Sequence, residues 1–297
     1  MKLAFSSNAF GRFSLLDTIG ILADIGYEGI EIMADVPHAY PPDLTRSDIE
    51  SIREALSRHA MEISNINAFM LRAIGNVHHP SWIEKDPVLR RKRIEHTRNC
   101  VDLADRLGAR MLSTEPGGPL DGMEPALGLE LFREGLREIE DHAREKNVRI
   151  LIEPEPGLLI ETSSEFRTFF RDLNPEVFGL NFDIGHFFCV GEDPAALIYQ
   201  LAPFICHFHL EDISRTRVHH HLLPGRGALD FRSITNAIRG INYTGFVTVE
   251  LYPYEDHPID AARAAFAYLQ EFIADSDPLP GGPVPATLDA SLASAKH

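Results

Sequence analysis

The stretch Lys2-Leu3-Ala4-Phe5-Ser6-Ser7-Asn8-Ala9-Phe10 joins an apolar run of β-strand character to a turn that contains no glycine. Seven similar runs follow, most of them after a segment long enough for one helix, which is the βαβ pattern of a parallel sheet. A dinucleotide-binding open sheet carries a G-x-G-x-x-G turn after its first strand, and this chain does not. We therefore predict an α/β fold, a single closed (β/α)8 TIM barrel. The predicted strands are Lys2–Ser6, Gly29–Met33, Glu62–Asn67, Arg110–Thr114, Arg149–Glu153, Gly179–Asp183, Ile205–His209 and Phe246–Leu251.

The length of 297 residues suits one such barrel, which takes about 250 residues, and requires no second domain. We assign residues 1–275 to the barrel. Residues 276–297 contain prolines and glycines followed by small residues, which predicts a C-terminal tail that is disordered or contacts a neighbouring subunit.

The chain has 28 Lys and Arg against 44 Asp and Glu, a formal net charge of −16. Nucleic-acid binding depends on neutralising phosphates with Lys and Arg, so this excess argues against a nucleic-acid partner. No apolar run approaches the ~20 residues that a membrane span needs. The first residues lack the apolar core of a signal peptide, and the three cysteines stand at no metal or redox spacing. We therefore expect a cytoplasmic protein with no membrane contact.

Two helix details follow from the spacing of apolar and polar residues. A helix is predicted to begin near Ser47, with Ser47 and Glu50 forming its capping box. A longer helix is predicted over Asp86–Leu107, and it contains the basic run Arg90-Arg91-Lys92-Arg93. We interpret this run as a solvated face or a subunit contact.

Four successive strands end on residue types that bind metal ions, namely Glu153, Asp183, His209 and Glu250. The C-terminal ends of barrel strands converge on one face, so these side chains are expected to share a site. Burying three carboxylates together without a counter-charge is costly, and a divalent cation is the simplest counter-charge. Because the set is rich in hard oxygen donors, we predict one divalent ion per chain, with Mn²⁺ favoured and Mg²⁺, Co²⁺ and Zn²⁺ as alternatives.

Several motifs resemble the xylose isomerase-like barrel superfamily over about residues 1–275, and the chain is similar there to sugar isomerases and ketose 3-epimerases. These motifs are Gly26-Tyr27-Glu28-Gly29-Ile30-Glu31-Ile32, Glu153-Pro154, Phe182-Asp183-Ile184-Gly185-His186, His209-Leu210-Glu211-Asp212-Ile213-Ser214-Arg215 and Pro224-Gly225-Arg226-Gly227-Ala228-Leu229-Asp230-Phe231. The resemblance implies that the four strand-end residues are the metal ligands. It also implies a small-molecule sugar substrate and a homodimer or homotetramer.

The same resemblance implies an isomerase or epimerase that acts on a ketose or related keto-sugar. Glu153 and Glu250 would remove and return a proton next to the carbonyl, through an enediolate, and each would also bind the metal ion. His186 and Arg215 would contact the substrate and the developing oxyanion.

The chain departs from the epimerases six residues after the first metal ligand, where they carry a substrate-binding Glu and this sequence has Leu159. Glu155, which lies closer to that ligand, and Glu115, just past the fourth strand, are predicted as further substrate contacts. Other strand-end residues, Glu31 and Asn67 among them, are candidate pocket walls.

Three other functions stay open. A dehydratase or lyase on the same barrel also begins with proton removal beside a carbonyl. A phosphodiesterase resembling endonuclease IV would use His219 and His221 as ligands of additional metal ions, although we expect both histidines to lie on a surface loop. The third alternative is a sugar-binding protein without catalytic activity.

Overall fold

The alternation of apolar runs and helical segments forms a closed parallel barrel in the computed structural model, which describes residues 1–273. This confirms the predicted fold, and the predicted tail at residues 276–297 lies outside the described residues. The strands are β1 (Lys2–Ser6), β2 (Gly29–Met33), β3 (Glu62–Asn67), β4 (Met111–Thr114), β5 (Arg149–Ile152), β6 (Phe178–Asp183), β7 (Ile205–Leu210) and β8 (Phe246–Val249). Within the same residues the α-helices are α1 (Leu15–Ile25), α2 (Arg46–His59), α3 (Pro87–Leu107), α4 (Pro125–Glu145), α5 (Ser163–Phe170), α6 (Ile184–Cys189), α7 (Pro194–Leu201), α8 (Phe231–Gly240) and α9 (Pro258–Ile273).

Each strand pairs in parallel with its neighbours in chain order, and the pairing of β1 with β8 closes the barrel. The strands β5 and β8 end at Ile152 and Val249, slightly earlier than the sequence predicted. Glu153 and Glu250 therefore stand immediately after their strands, at the C-terminal mouth of the barrel. Residues in this position are held by the strand but point into the mouth, where barrel enzymes carry their active sites.

The predicted start of α2 is wrong by two residues, because a different side chain caps this helix. The Thr45 hydroxyl accepts a hydrogen bond from the Asp48 backbone N–H, and the Asp48 carboxylate accepts one from the Thr45 backbone N–H. This reciprocal pair is the capping box, and Ser47 and Glu50 do not form it.

No helix among residues 1–273 combines the length and apolar character that crossing a membrane would require.

The interpretation of the basic run in α3 is wrong for Arg93, whose side chain is completely buried. Its Nη1 donates to the backbone carbonyls of Ala68 and Phe69, and its Nε donates to the carbonyl of Pro80. Arg93 therefore fastens both ends of the segment that follows β3. The cost of burying the guanidinium is offset by these hydrogen bonds to backbone acceptors.

The apolar core lies mainly outside the barrel, between the strands and the helices. Phe132 of α4 stacks on Phe169 of α5, for example, with ring centres 4.9 Å apart. Apolar contacts of this kind supply most of the driving force for folding. They leave the barrel interior available for other residue types.

The barrel interior below the mouth is polar. The Ser64 and Thr248 hydroxyls lie 3.0 Å apart across the barrel, and Asn65 Nδ2 donates to Ser113 Oγ at 2.8 Å. Ser64 and Asn65 are adjacent, and both make these contacts because the pairing of β2 with β3 has a bulge at this point. The mouth therefore rests on a network of hydrogen bonds that crosses the barrel.

Candidate active site

The four predicted ligands converge at the mouth of the barrel. One ligand atom from each of Glu153, Asp183, His209 and Glu250 lies within 4.8 Å of the others, and all four residues are buried. They come from the ends of β5, β6, β7 and β8, which are consecutive strands. The structure therefore brings together the residues that the sequence pattern predicted to share a site.

Each of the three carboxylates has one oxygen held by the protein and directs the other towards His209 Nδ1. Glu153 Oε2 accepts from Asn181 Nδ2 at 2.8 Å, and its Oε1 lies 3.0 Å from Nδ1. Glu250 Oε1 accepts from Asn8 Nδ2 at 2.8 Å, and its Oε2 lies 3.6 Å from Nδ1. The described geometry thus defines a point of convergence at this nitrogen.

Asp183 follows the same arrangement through its place at the start of α6. Its Oδ1 caps this helix by accepting from the His186 backbone N–H at 2.7 Å, and its Oδ2 lies 3.8 Å from His209 Nδ1. This Oδ2 is buried, and among residues 1–273 it has no hydrogen-bond donor as long as the neighbouring Glu211 carboxyl is ionised. Buried polar atoms are nearly always satisfied, so a cation bound by the four residues would explain the exception.

The electrostatics of the cluster also fit a cation. Burial raises the pKa of Glu250, and the charges of Glu153 and Asp183 raise it further, against the opposing effect of His209. Burial likewise raises the pKa of Asp183. Burial alone would lower the pKa of His209, but the surrounding carboxylates raise it well above its ordinary value. Protons thus partly neutralise the cluster, and a divalent ion would replace them.

A cavity of about 540 Å³ opens directly above the cluster. Its volume is within the range of small-molecule sites, which is about 300 to 1,000 Å³. The residues that line it are Asn8, Asn67, Phe69, Met70, Arg72, Asn76, Val77, His78, His79, Glu153, Glu155, His186, His219, Glu250 and Tyr252.

Two of the predicted substrate contacts line this cavity. His186 is buried, and its Nδ1 lies 3.0 Å from the Pro154 carbonyl oxygen, which makes Nδ1 the donor. Burial lowers the pKa of His186 to about 4, so its ring is neutral at physiological pH. Glu155 is also buried, and burial together with the charges of Glu153 and Glu250 raises its pKa well above the ordinary value.

The other two predicted contacts lie outside the cavity lining. Glu115 is fully buried, where its Oε1 accepts from the Trp82 backbone N–H and lies 3.5 Å from Arg93 Nε. It is thus paired with the guanidinium that fastens the segment after β3. Arg215 is exposed to solvent on the loop after β7 and is not among the lining residues.

The expectation that His219 and His221 lie on a surface loop is wrong. His221 is fully buried, His219 is partly buried, and their Nε2 atoms are 3.3 Å apart. His186 is close to both, with its ring centre 4.6 Å from that of His219. Burial lowers the pKa of His219 to about 4 and lowers that of His221 well below its ordinary value. The loop after β7 therefore adds neutral imidazoles to the wall of the site.

Sequence reasoning missed the residues that hold the ligands from below. Asn181 and His207 lie on the same strands as the predicted ligands Asp183 and His209, two residues earlier in each case, and both are fully buried. His207 Nδ1 lies 3.0 Å from Asn181 Oδ1, so it orients the amide that holds Glu153. Residues two positions apart in a strand lie on the same face, so the sequence spacing already indicated that Asn181 and His207 lie beside the predicted ligands.

Glu211, the second residue after His209, is also fully buried beside the cluster. Its Oε1 accepts from the Gly185 backbone N–H at 2.6 Å. Burial and the neighbouring Asp183 charge raise the pKa of Glu211 well above its ordinary value. One of its oxygens lies within 4.8 Å of possible ligand atoms of Asp183 and His221, so the acidic cluster extends towards His221.

The family of the chain follows from a match over most of its length. A sequence profile of the xylose isomerase-like TIM barrel family matches residues 19–272, and the chain belongs to this family. A crystal structure of the IolI protein with a bound zinc atom superposes with a TM-score of 0.77 at 19% identity, covering 92% of this chain and 98% of that one. At that identity the superposition establishes the fold.

Two relatives in sequence are named for different activities. Inosose dehydratase from Lacticaseibacillus casei is 28% identical over 158 residues, which is 47% of this chain and 53% of the relative. The match therefore spans about half the length of that enzyme. Fructoselysine 3-epimerase from Shigella flexneri is 23% identical over 262 residues, which is 86% of this chain and 92% of the relative.

Proposed function

We propose that the protein is a metal-dependent sugar isomerase or epimerase that moves a proton at the carbon next to a carbonyl. The observation that carries this proposal is the pairing of Glu153 and Glu250 at one cluster. Both carboxylates line the cavity, and each has one oxygen held by an amide. Two carboxylates positioned around one substrate can remove a proton and return one to the same carbon.

Glu153, Asp183, His209 and Glu250 would hold the divalent ion, for which we propose Mn²⁺. When bound, the ion acts as a Lewis acid that makes the hydrogen next to the substrate carbonyl easier to remove. Asn181 and Asn8 keep the two acid/base carboxylates in fixed orientations throughout. Preorganised groups of this kind avoid the cost of reorientation during the reaction.

The remaining cavity residues would bind and orient the sugar. His186 carries its proton on Nδ1, so its Nε2 is free to accept a hydrogen bond from a substrate hydroxyl. Glu155 lines the cavity, and its raised pKa favours the protonated form, which would donate a hydrogen bond to the sugar without adding negative charge. Arg215 would reach the substrate from the loop after β7.

Solvent deuterium exchange tests this proposal. The Mn²⁺-loaded protein would be incubated in D₂O with a panel of ketoses, and loss of the proton signal beside the carbonyl followed by NMR. We expect exchange with at least one sugar, and a loss of roughly 10²- to 10⁴-fold in Glu153→Gln and Glu250→Gln. A matched control is Glu140→Gln, which alters a carboxylate that accepts from an asparagine amide outside the cavity. Exchange in none of the sugars would refute the proposal.

A dehydratase is the second candidate, and one feature of the site favours it. Leu159 stands where the epimerases carry a substrate-binding Glu, and its side chain packs beside Gly117 and Gly128, outside the cavity lining. The protonated form of Glu155, which its raised pKa favours, would instead give its proton to a leaving hydroxyl group. Incubation with inosose would then produce an enone with new ultraviolet absorbance, whereas epimerisation would produce none.

A further inference from the structure

Glu31, at the centre of β2, lies below the proposed metal ligands and has no role in the proposed reaction. It is completely buried and does not line the cavity. Its Oε2 lies 2.7 Å from His209 Nε2, the ring nitrogen opposite the point where the three ligand carboxylates converge. Glu31 therefore contacts a ligand residue on the side that faces away from the substrate.

The other partners of Glu31 are all hydrogen-bond donors. Ser6 Oγ donates to Oε1 at 2.7 Å, and Asn67 Nδ2 donates to the same oxygen at 3.1 Å. Asn65 Nδ2 donates to Oε2 at 2.8 Å, beside the contact from His209. An ionised carboxylate has two acceptor oxygens and no donor, so it satisfies all of these groups together. A glutamine would turn its NH₂ group towards two of them.

A carboxylate can only accept here, and this fixes which ring nitrogen of His209 carries the proton. Nε2 donates to Glu31, and Nδ1 is left to face Glu153, Asp183 and Glu250. We infer that Glu31 is a positioning residue that holds His209 with Nδ1 directed at the metal ion. This inference rests on the proposed function only through the metal centre. A buried carboxylate behind a ligand histidine raises the basicity of the ring and fixes its orientation.

The same region contains a second group of potential ligands, Glu31, His207 and His209, but hydrogen bonds already satisfy it. His207 Nδ1 lies 3.0 Å from Asn181 Oδ1, and His207 Nε2 lies 2.9 Å from Thr248 Oγ1. Both ring nitrogens of His207 are therefore engaged. An ion between Glu31 and His209 would also have to displace the donors from Asn65 and Ser6. The geometry thus favours Glu31 as a support for His209.

The test measures ion affinity in the absence of sugar, by competition with a chelator for Mn²⁺ and Zn²⁺. Glu31→Gln should weaken binding roughly 10- to 100-fold while one ion per chain still binds at saturation. A Co²⁺-loaded sample should also show a changed visible spectrum, because the orientation of His209 at the ion is no longer fixed. The matched control is Asp102→Asn, which alters a carboxylate 2.9 Å from His142 Nε2 on the outer helices α3 and α4. Its ion affinity should equal that of the original protein.

A second variant covers the case in which Glu31→Gln does not fold. Asn65→Ala leaves the Glu31 carboxylate in place and removes one donor to Oε2, so it should weaken binding by more than about threefold but by a smaller factor than Glu31→Gln. An affinity within about threefold of the original in Glu31→Gln, or in Asn65→Ala where Glu31→Gln does not fold, would overturn the assignment of Glu31 and leave the metal centre standing. An original protein that bound no divalent ion would refute both the metal centre and the role of Glu31.

Discussion

Replacing Glu250 with Gln should have opposite effects on ion binding and on the stability of the ion-free protein. The substitution preserves shape, and its amide oxygen can still accept from Asn8, but it removes one negative charge from the cluster. Coulomb's law gives about 4 kcal/mol for a unit charge about 2.2 Å from a divalent ion, even at the dielectric constant of bulk water. The expected loss of ion affinity is therefore at least about several hundred-fold.

In the ion-free protein the same charge is destabilising. The Glu250 carboxylate is within 4.8 Å of the carboxylates of Glu153 and Asp183 and of the His209 ring, so two repulsive pairs face one attractive pair. The net repulsion of one pair at that distance is about 1 to 3 kcal/mol for dielectric constants between that of water and about 20. Glu250→Gln should thus raise the Tm of the ion-free protein by about 2 to 6 °C.

The pH dependence of this gain follows from the direction of the pKa shift. The pKa of Glu250 is raised in the folded protein, so ionisation of this residue costs stability at pH values above the ordinary carboxyl range. At a pH below that range Glu250 is protonated in both the folded and unfolded states, and the cost disappears. The advantage of the Gln variant should therefore be present at about pH 8 and absent at about pH 4.

The assay combines calorimetric titration with Mn²⁺ and thermal melting in the presence of a chelator, with Glu140→Gln as the control. In the control neither quantity should change by more than a small amount, because Glu140 lies outside the acidic cluster. A Glu250→Gln variant that lost ion affinity and also lost stability without the ion would show that Glu250 supports the fold. That result would refute the electrostatic account of the site.

Three further outcomes are expected. Arg215→Ala should lower kcat about tenfold or more and leave the ion content unchanged, as expected of a group that contacts only the substrate. Unchanged kcat and KM would instead agree with the exposed position of Arg215 and show that it does not contact the substrate. The double variant His219→Ala/His221→Ala should have lower activity and still bind one ion per chain, as measured by elemental analysis. A second tightly bound ion that is present in the original protein and absent from this variant would instead favour hydrolytic chemistry. Mn²⁺ affinity should rise with pH, because the raised pKa values of Asp183, His209 and Glu250 mean that binding releases protons. Calorimetry in buffers of different ionisation enthalpy would measure this release, and uptake of protons would contradict it.

The fold and the convergence of the four strand-end residues could be predicted because both depend on local patterns. The apolar runs specify strands whatever their partners are, and the closure of the barrel brings their C-terminal ends together. A residue that ends one of these strands is therefore placed to within a residue or two by the strand itself. This is why Glu153, Asp183, His209 and Glu250 could be expected to share a site before their distances were known.

The positions of His219 and His221 could not be predicted, because they depend on a contact between distant parts of a loop. The backbone N–H and C=O groups of Asp212 and Leu222 hydrogen-bond to each other, at 2.8 and 2.7 Å, and form an isolated antiparallel bridge. This bridge folds the loop after β7 back over the barrel mouth and buries His221. Nothing in a run of histidines indicates such a bridge.

The burial of Arg93 and its pairing with Glu115 could not be predicted, for a related reason. Each has a charged side chain that is most often exposed, and only the tertiary structure shows that they bury each other. The pair still shapes the site, since Arg93 holds the backbone carbonyls of Ala68 and of Phe69, and Phe69 lines the cavity. A residue can thus determine the shape of a cavity without lining it.

The polar interior of the barrel connects these observations to the proposed chemistry. Barrel interiors are commonly filled by branched apolar side chains, which would pack well but would leave the ligand side chains free to rotate. Here Glu31 holds His209, and Asn181, itself oriented by His207, holds Glu153. Each of these contacts removes rotational freedom from a proposed metal ligand. The entropy of ordering the site is therefore lost during folding and need not be lost again when an ion binds. The polar layer therefore makes the site more rigid at the cost of some apolar packing, and this exchange is expected where a proton must be removed from and returned to a single carbon atom.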